Sequence, residues 1–275
     1  MNRSMITASV SMGQLQRKMD TISHNLSNSN TYGFKSRNVQ FSDLLYQEVK
    51  SQAKEGPESG RLTPEHVRFG NGSRVTGTML QLAQGSVTET GRSLDFALLD
   101  ENVMFQIRKT LENGDEIVEY TREGSFYLAP VEGNPDVMQL TTANGESVLG
   151  ENGPIEVPTG FDSISINQAG QIQVTMPDET VVNAGQFAFV EVVRPQLLES
   201  SGDNRYRVAP GTQLDQAITQ LQQPQEVIQQ GALEQSNVDV SHEMTQLLTT
   251  QRSYQLNAKA VTMADQMMGL VNTIR

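Results

Sequence analysis

The side chains able to do chemistry are few in this chain and far apart. Its three histidines, His24, His66 and His242, lie in separate regions. None has the H-E-x-x-H or H-x-x-H spacing that would set two imidazoles on one helix face for a metal. Cysteine is absent, which excludes a thiolate nucleophile, a disulfide framework and cysteine-ligated zinc or iron–sulfur centres. The acidic pairs Asp115-Glu116 and Asp178-Glu179 have the composition of a general acid/base couple, yet both sit among turn residues, where carboxylates are solvated rather than tuned. No G-x-S-x-G, phosphate loop or G-x-G-x-x-G occurs, and Gly70-Asn71-Gly72 reads as a turn. The expectation is a chain that is not an enzyme, with no catalytic residue, no cofactor and no metal.

The elements that would have to position such groups carry a stronger signal. Met5, Ala8, Met12, Leu15, Met19, Ile22 and Leu26 follow one another at alternating steps of three and four, an unbroken heptad seam. This predicts a coiled-coil helix of about 25 residues, which Asn2 or Ser4 can cap and which Asn25, Asn28, Asn30 and Gly33 end. A second seam closes the chain through Val240, Met244, Leu247, Gln251, Tyr254, Ala258, Val261, Ala264, Met268, Val271 and Ile274. Ser236, Asn237 or Asp239 can cap it. Leu248, Met267 and Leu270 widen its apolar stripe beyond the needs of a two-stranded contact, so this helix calls for several neighbours. Two seams of similar length at opposite ends of the chain favour antiparallel pairing of the terminal helices.

Between the helices the period changes. Residues 50–73 are polar, rich in Gly and Pro and without periodicity, as in a linker or a segment that orders on assembly. Hairpin signals follow: Asn113-Gly114-Asp115 between Val103–Ile107 and Ile117–Tyr120, Asn144-Gly145 between Met138–Leu140 and Val148–Leu149, and Asn167–Gly170 between Ile164/Ile166 and Ile172/Val174/Met176. Phe187–Val193 is apolar enough for a strand covered on both faces. Nine glutamines between Gln213 and Gln235, interleaved with Leu214, Ile218, Leu221, Val227 and Ile228, read as a solvated loop with embedded helix or strand turns. The fold class expected is α+β: N- and C-terminal helices paired as a coiled coil (1–36 with 237–275), a linker (37–76) partly disordered before assembly, and a central antiparallel all-β domain (77–236).

Composition narrows the partners. Of 275 residues, 36% are hydrophobic and 5% aromatic, and the net charge is −12. Residues 1–40 hold five basic groups and one acid, and residues 237–275 hold three of each sign, which leaves about −16 for the middle. An acidic middle repels phosphate backbones and anionic headgroups, so nucleic acid and membrane surfaces are not expected partners. No apolar run is long enough to span a bilayer or to serve as a cleavable secretory signal, and any export is expected to use another route. The thin apolar supply implies that part of the chain buries its apolar face against other chains.

Several segments carry a resemblance. HNLSNSNTYGFKSRNVQFSDLL resembles the N-terminal signature of the bacterial flagellar rod and hook proteins, and SNVDVSHEMTQLLTTQRSYQLNAKAVTMADQMM resembles their C-terminal signature. LDFALL (94–99), YTREGSFYL (120–128), GESVLG (145–150) and SGDNRYRV (201–208) are similar to stretches of the longer members, so the resemblance leaves out only about 45–75 and 210–225. It implies terminal helices stacked into the innermost tube of the flagellar axis around the export channel, with the β domain as an outer shell. It also implies copies of the chain, other rod and hook proteins and the type III export apparatus as partners, in the basal body. The length suits a long distal-type rod protein or a close paralogue. A hook or hook-like member, or a soluble β-domain binding module dimerised by its helices, are the alternatives.

The resemblance also assigns roles. Leu26 closes the first seam, Asn28 and Asn30 bond backbone at the turn, Gly33 takes a conformation closed to other residues, and Phe34 anchors the outgoing chain. Asn237 and Val238 open the C-terminal signature, Gln251 fixes register, Tyr254 packs, and Arg252 and Asn257 face neighbouring subunits. With Met5, Met12, Leu15, Met19, Ile22, Met244, Leu247, Val261 and Met268 on the seams, these are the expected assembly residues. Two departures stand out. Asp100-Glu101-Asn102-Val103-Met104-Phe105 lacks the glycines of the family's G-x-G-F-F, which leaves that turn's geometry open, and His24, Ser27 and Ser29 replace the more usual Asn, Ala and Ala.

Overall fold

The alternating three- and four-residue spacing from Met5 to Leu26 lies on one helix, Asn2–Ser27. Its seam residues are shielded, with Ala8 and Ile22 buried and Met5, Met12, Leu15, Met19 and Leu26 half-buried. The helix stops where Asn28 accepts a backbone bond from Thr31 (3.2 Å). A second helix, Val240–Thr273, starts directly after Asp239; Ile274, the last seam position, lies outside the described residues. The computed structural model describes residues 2–44, 46–50, 66–70, 72–111, 114–131, 133–221 and 227–273. No helix among them is long and apolar enough to cross a membrane. The fold is α+β, with largely antiparallel strands between the two terminal helices.

The chain divides into two compact units. The first comprises Met1–Leu26, Arg37–Met79 and Val240–Arg275, and the second Ser27–Ser36 and Leu80–Asp239. Within the first, strands lie where a linker is expected: β1 (Arg37–Asp43), β2 (Tyr46–Lys50), β3 (His66–Gly70) and β4 (Ser73–Leu80) form the pairs β1–β4 and β2–β3, the latter antiparallel from Tyr46↔Gly70 to Lys50↔His66. Val39 between Asn38 and Gln40, and Val75 between Arg74 and Thr76, supply a period-two pattern too short and polar to stand out in sequence. Residues 51–65 of the expected linker lie outside the described residues.

The second unit begins with β5 (Val87–Glu89), β6 (Phe96–Leu98), β7 (Val103–Thr110) and β8 (Glu116–Thr121). It continues through β9 (Tyr127–Val131), β10 (Asn134–Thr141), β11 (Ser147–Gly150), β12 (Gly153–Pro154) and β13 (Glu156–Pro158). Next come β14 (Ser163–Ile166), β15 (Gln171–Thr175), β16 (Val181–Gln186) and β17 (Phe189–Val192). The last strands are β18 (Leu198–Gly202), β19 (Arg205–Val208), β20 (Ile218–Gln220), β21 (Ile228–Gln230) and β22 (Ala232–Glu234). An 11-stranded sheet runs β13-β10-β11-β7-β8-β19-β18, with β9, β12, β17 and β20 joined to it; β14-β15-β16 form a second sheet, and β21 and β22 pair with β6 and β5.

Each expected hairpin is present: β7–β8 turns at Gly114, β10–β11 at Gly145 and β14–β15 at Gly170, all three glycines with positive φ. The acidic pairs serve such turns. Asp178 accepts from the hydroxyl and amide of Thr180, which hold its carboxyl below the usual range, and Glu116 meets Arg108 at 3.2 Å.

Because strand side chains alternate in direction, β7 feeds two cores. Val103, Phe105 and Ile107 join one cluster and Met104 the other. β17, paired on one edge with β7 and on the other with β20, likewise sends Phe189 to the first and Val190 and Val192 to the second. Five of the nine phenylalanines (Phe96, Phe105, Phe126, Phe187 and Phe189) pack together with centroids 5.1–6.1 Å apart. The scarce aromatic supply is therefore spent on the β unit.

Candidate functional site

Where the two signature segments meet the β strands, three charged side chains are removed from water. Lys35 follows Phe34 in the N-terminal segment, Glu234 ends β22 just before the C-terminal segment, and Arg122 follows β8; their side chains are all at most 1% exposed. Lys35 Nζ donates to Glu234 Oε1 (2.7 Å) and to the carbonyls of Leu82 (3.1 Å) and Ala83 (2.8 Å). Arg122 Nε donates to Glu234 Oε2 (2.8 Å), and the amide of Gly85 donates to Glu234 Oε1 (2.8 Å). Two cations share one carboxylate, and backbone carbonyl dipoles offset the remaining positive charge. Arg122 Nη1 alone gathers the carbonyls of Asp100 (2.6 Å), Glu101 (2.9 Å) and Val103 (2.7 Å).

That fork answers the turn left open by the missing glycines. No residue from Asp100 to Phe105 has positive φ, so glycine is not required there, and the guanidinium holds the carbonyls instead. Gly33 does need its identity. Its φ is +67°, and a Cβ would stand 2.7 Å from the backbone of Arg122 and Glu123; its amide donates to the carbonyl of Glu234 (2.8 Å). Asn237 completes the junction, accepting from the Ser36 amide (2.8 Å) and donating to the carbonyls of Gln81 and Ala83 (2.9 Å each). On the other side, the Asp203-Asn204 turn, both residues at positive φ, sends Asn204 Nδ2 to the Tyr32 carbonyl (3.0 Å).

Lys35 and Arg122 lie in the quoted motifs and Glu234 just before the C-terminal one, and comparison with known proteins bears on these segments. Residues 5–35 match the family described as flagella basal body rod protein, 101–174 the flagellar hook protein FlgE/F/G D1 domain, and 229–274 the flagellar basal body rod FlgEFG protein C-terminal family. The chain is 38% identical to the flagellar hook-basal body complex protein FlhP of Bacillus subtilis (strain 168), over the whole of both chains. It is 32% identical to that organism's flagellar basal-body rod protein FlgG, again over both whole chains, and 30% identical to FlgG of Agrobacterium fabrum over 98% of each. The chain belongs to the flagellar basal-body rod and hook protein family.

Within this family member the first unit has its own polar lock. Asn25, 1% exposed, exchanges two 3.0 Å hydrogen bonds with the backbone of Arg37 and donates to Glu243 Oε1 (3.0 Å). One amide thus ties the N-terminal helix, β1 and the first turn of the C-terminal helix, where a carboxylate also suits the helix dipole. Gln251, expected to fix register, is exposed. The line shielded along the C-terminal helix runs Glu243, Leu247, Thr250, Tyr254, Asn257, Val261, Ala264 and Met268, one position around from the expected seam at Met244 and Gln251. Met244 and Arg252 are exposed. Among the signature residues, Phe34 is buried, Asn28, Asn237 and Val238 are half-buried, and Asn30 is exposed. Asn28 Oδ1 accepts from Thr31 (3.3 Å), and Asn257 Nδ2 bonds the carbonyl of Ser253 (3.0 Å).

A second apolar line on the C-terminal helix stands in water. Met244, Leu248, Leu256, Met263, Met267, Leu270 and Val271 are each 46–66% exposed. The Gln-rich stretch, in contrast, is partly wired in: it forms a short helix, β20, β21 and β22, and Gln230 bonds Ser93, Ile164 and Ile166; residues 222–226 lie outside the described residues.

Sequence reading missed Asn25, Lys35, Arg122, Glu234 and Glu243 as a set. The available hint was a charged residue inside each quoted motif, in GFK and in YTREG; the partners stand 199 and 112 residues away. Burial, with the Arg122 guanidinium beside it, brings Lys35 down to about 8 from 10.5, against the opposing pull of Glu234. Between those values the unfolded chain holds a proton that the native chain has released, so stability rises with pH in that window. We expect the stability of the wild type relative to Lys35→Met to grow by a few kcal/mol between pH 7.5 and 10. Urea unfolding of both chains at the two pH values checks this; a constant difference would show an unshifted lysine.

Proposed function

We propose that this chain is a structural subunit of the flagellar basal-body rod that polymerises helically around the export channel and transmits torque to the hook. The observation that carries the reading is the second apolar line of the C-terminal helix. One helix exposes large apolar side chains from Met244 to Val271, a face that marks an interaction surface. Full-length similarity to proteins named flagellar basal-body rod protein supports the same reading.

In this account the terminal helices pair as a coiled coil and pack with those of neighbouring copies into the axial core, and the β unit forms the outer shell. The chain leaves the cell through the type III apparatus and contacts other rod and hook proteins at the ends of its own segment. It performs no catalysis. Similarity to a hook-basal body complex protein over the whole chain favours, as a second reading, a specialised paralogue within the same axis.

The test is to image basal bodies from a strain lacking the chain. The axis is expected to stop within the rod, with no hook and no swimming. Complete rods bearing hooks would overturn the proposal.

A further inference from the structure

The β unit is held together by two kinds of strand pairing. Its hairpins join near neighbours: Arg108 meets Glu116 across β7–β8 and Arg207 meets Glu199 across β18–β19, each pair eight residues apart. Among the described residues, the large sheet and the β14-β15-β16 sheet draw no strand from beyond Gln220. The bond from Thr121 of β8 to the Asn204 carbonyl beside β19 spans 83 residues. Residues 227–237 belong to neither sheet. Their strands β21 and β22 pair with β6 and β5, at the opposite end of the unit's sequence.

This segment is fastened across long stretches of chain. Gln230 Nε2 donates to the Ser93 carbonyl (2.8 Å), 137 residues away. Glu234 Oε1 accepts from the Gly85 amide and from Lys35 Nζ, 149 and 199 residues away. The amides of Leu99, Gly231 and Gln235 donate to the carbonyls of Val227, Asp95 and Ser86, each at 2.8 Å. Val227 and Ile228 are buried in the cluster that holds Phe96 and Leu98, and Leu233 is buried beside them in sequence. Closing so long a loop costs chain entropy that is returned only when these contacts are made, whereas hairpins form locally and early. Partial docking gains little, because burying Lys35 and Arg122 is favourable only once Glu234 stands between them.

We propose that residues 227–237 are a strap that closes last over a β unit whose two larger sheets are already formed, and that its closure sets the incoming and outgoing chain side by side. The second part comes from three bonds made in the same act. Gly33 donates its amide to the Glu234 carbonyl (2.8 Å), Ser36 its amide to Asn237 Oδ1 (2.8 Å), and Asn237 its amide to the Phe34 carbonyl (3.4 Å). Before closure the two ends of the unit are free of one another. After it, both terminal segments leave the unit from one place.

The experiment refolds the full chain from urea with a prolyl isomerase present, so that slow peptide isomerisation does not set the order. Amides are pulse-labelled with deuterium at increasing times, and protection is read in peptic fragments covering 103–121 and 227–237. We expect 103–121 to gain protection at least about fivefold faster than 227–237. Leu233→Ala should leave the rate for 103–121 unchanged to within about twofold while speeding unfolding of the chain about tenfold. Equal rates for the two fragments or earlier protection of 227–237 would overturn the strap. So would a Leu233→Ala chain that protects 103–121 correspondingly more slowly, or one that unfolds no faster than the wild type. If Leu233→Ala does not fold, the order of protection in the wild type decides alone.

Discussion

Replacing Glu234 with leucine is expected to destabilise the β unit by about 3–5 kcal/mol, a large share of the roughly 5–15 kcal/mol that holds a typical domain folded. The carboxylate is paired directly with two cations, each at most 1% exposed. Its loss leaves Arg122 charged without a carboxylate partner and removes the pull that holds the proton on Lys35, whose pKa then falls further below its ordinary value. Their carbonyl partners remain, but dipoles do not replace a full negative charge at 2.7 and 2.8 Å. Lys35→Met added to Glu234→Leu removes the buried amine left without its carboxylate and should restore part of the loss, because residues in one network couple rather than add. Urea unfolding at pH 7 of the wild type, both single variants and the double variant gives the coupling directly. A Glu234→Leu chain within about 1 kcal/mol of the wild type would mean that the carbonyls alone carry the cations. This network fastens the N-terminal signature segment, at Lys35, to β22 and to Arg122 after β8.

On the C-terminal helix, Leu256→Asp and Leu247→Asp should separate folding from assembly. Leu256 is 66% exposed, so an aspartate there should change the stability of the isolated chain by no more than about 0.5 kcal/mol. In the proposed axis the same carboxylate would be desolvated against a neighbouring copy at a cost of several kcal/mol, repeated at every subunit. The expected phenotype is a chain that is made, folded and exported into the medium but missing from rods. Leu247, on the shielded line, should lose stability in the isolated chain as well as incorporation. Circular dichroism of the purified chains and immunoblots of medium and purified rods give the four values needed. Normal rods containing Leu256→Asp would remove the second apolar line from the proposed interface.

The parts of the fold that were legible in sequence depend on neighbours in the chain. The β7–β8, β10–β11 and β14–β15 hairpins follow from a glycine able to take positive φ between alternating apolar residues, a relation that spans about ten positions. The N-terminal helix followed from spacing alone, since its apolar residues fall mostly on one unbroken seam. The C-terminal helix was harder because it carries two apolar lines. Periodicity marked one seam widened by Leu248, Met267 and Leu270, yet whether Glu243 and Thr250 or Met244 and Gln251 face inward is a one-position rotation that spacing does not resolve. Strands β1 and β4 escaped notice for a related reason. Their half-polar alternation is weak by itself, and the two stand about thirty residues apart.

The amino-acid sequence by itself determined the helical ends, the β middle, the absence of thiol chemistry and the signatures of the family, because each is written in local period, turn chemistry or composition. Only the tertiary structure decided that Lys35, Arg122 and Glu234 form one buried network and that Asn25 bonds Glu243 of the other terminal helix. The physical reason is the same in each case. The worth of a charged or amide side chain is set by which distant groups share its desolvated space, and a lysine in GFK or an asparagine in a helix has the same local sequence whether it faces water or a carboxylate.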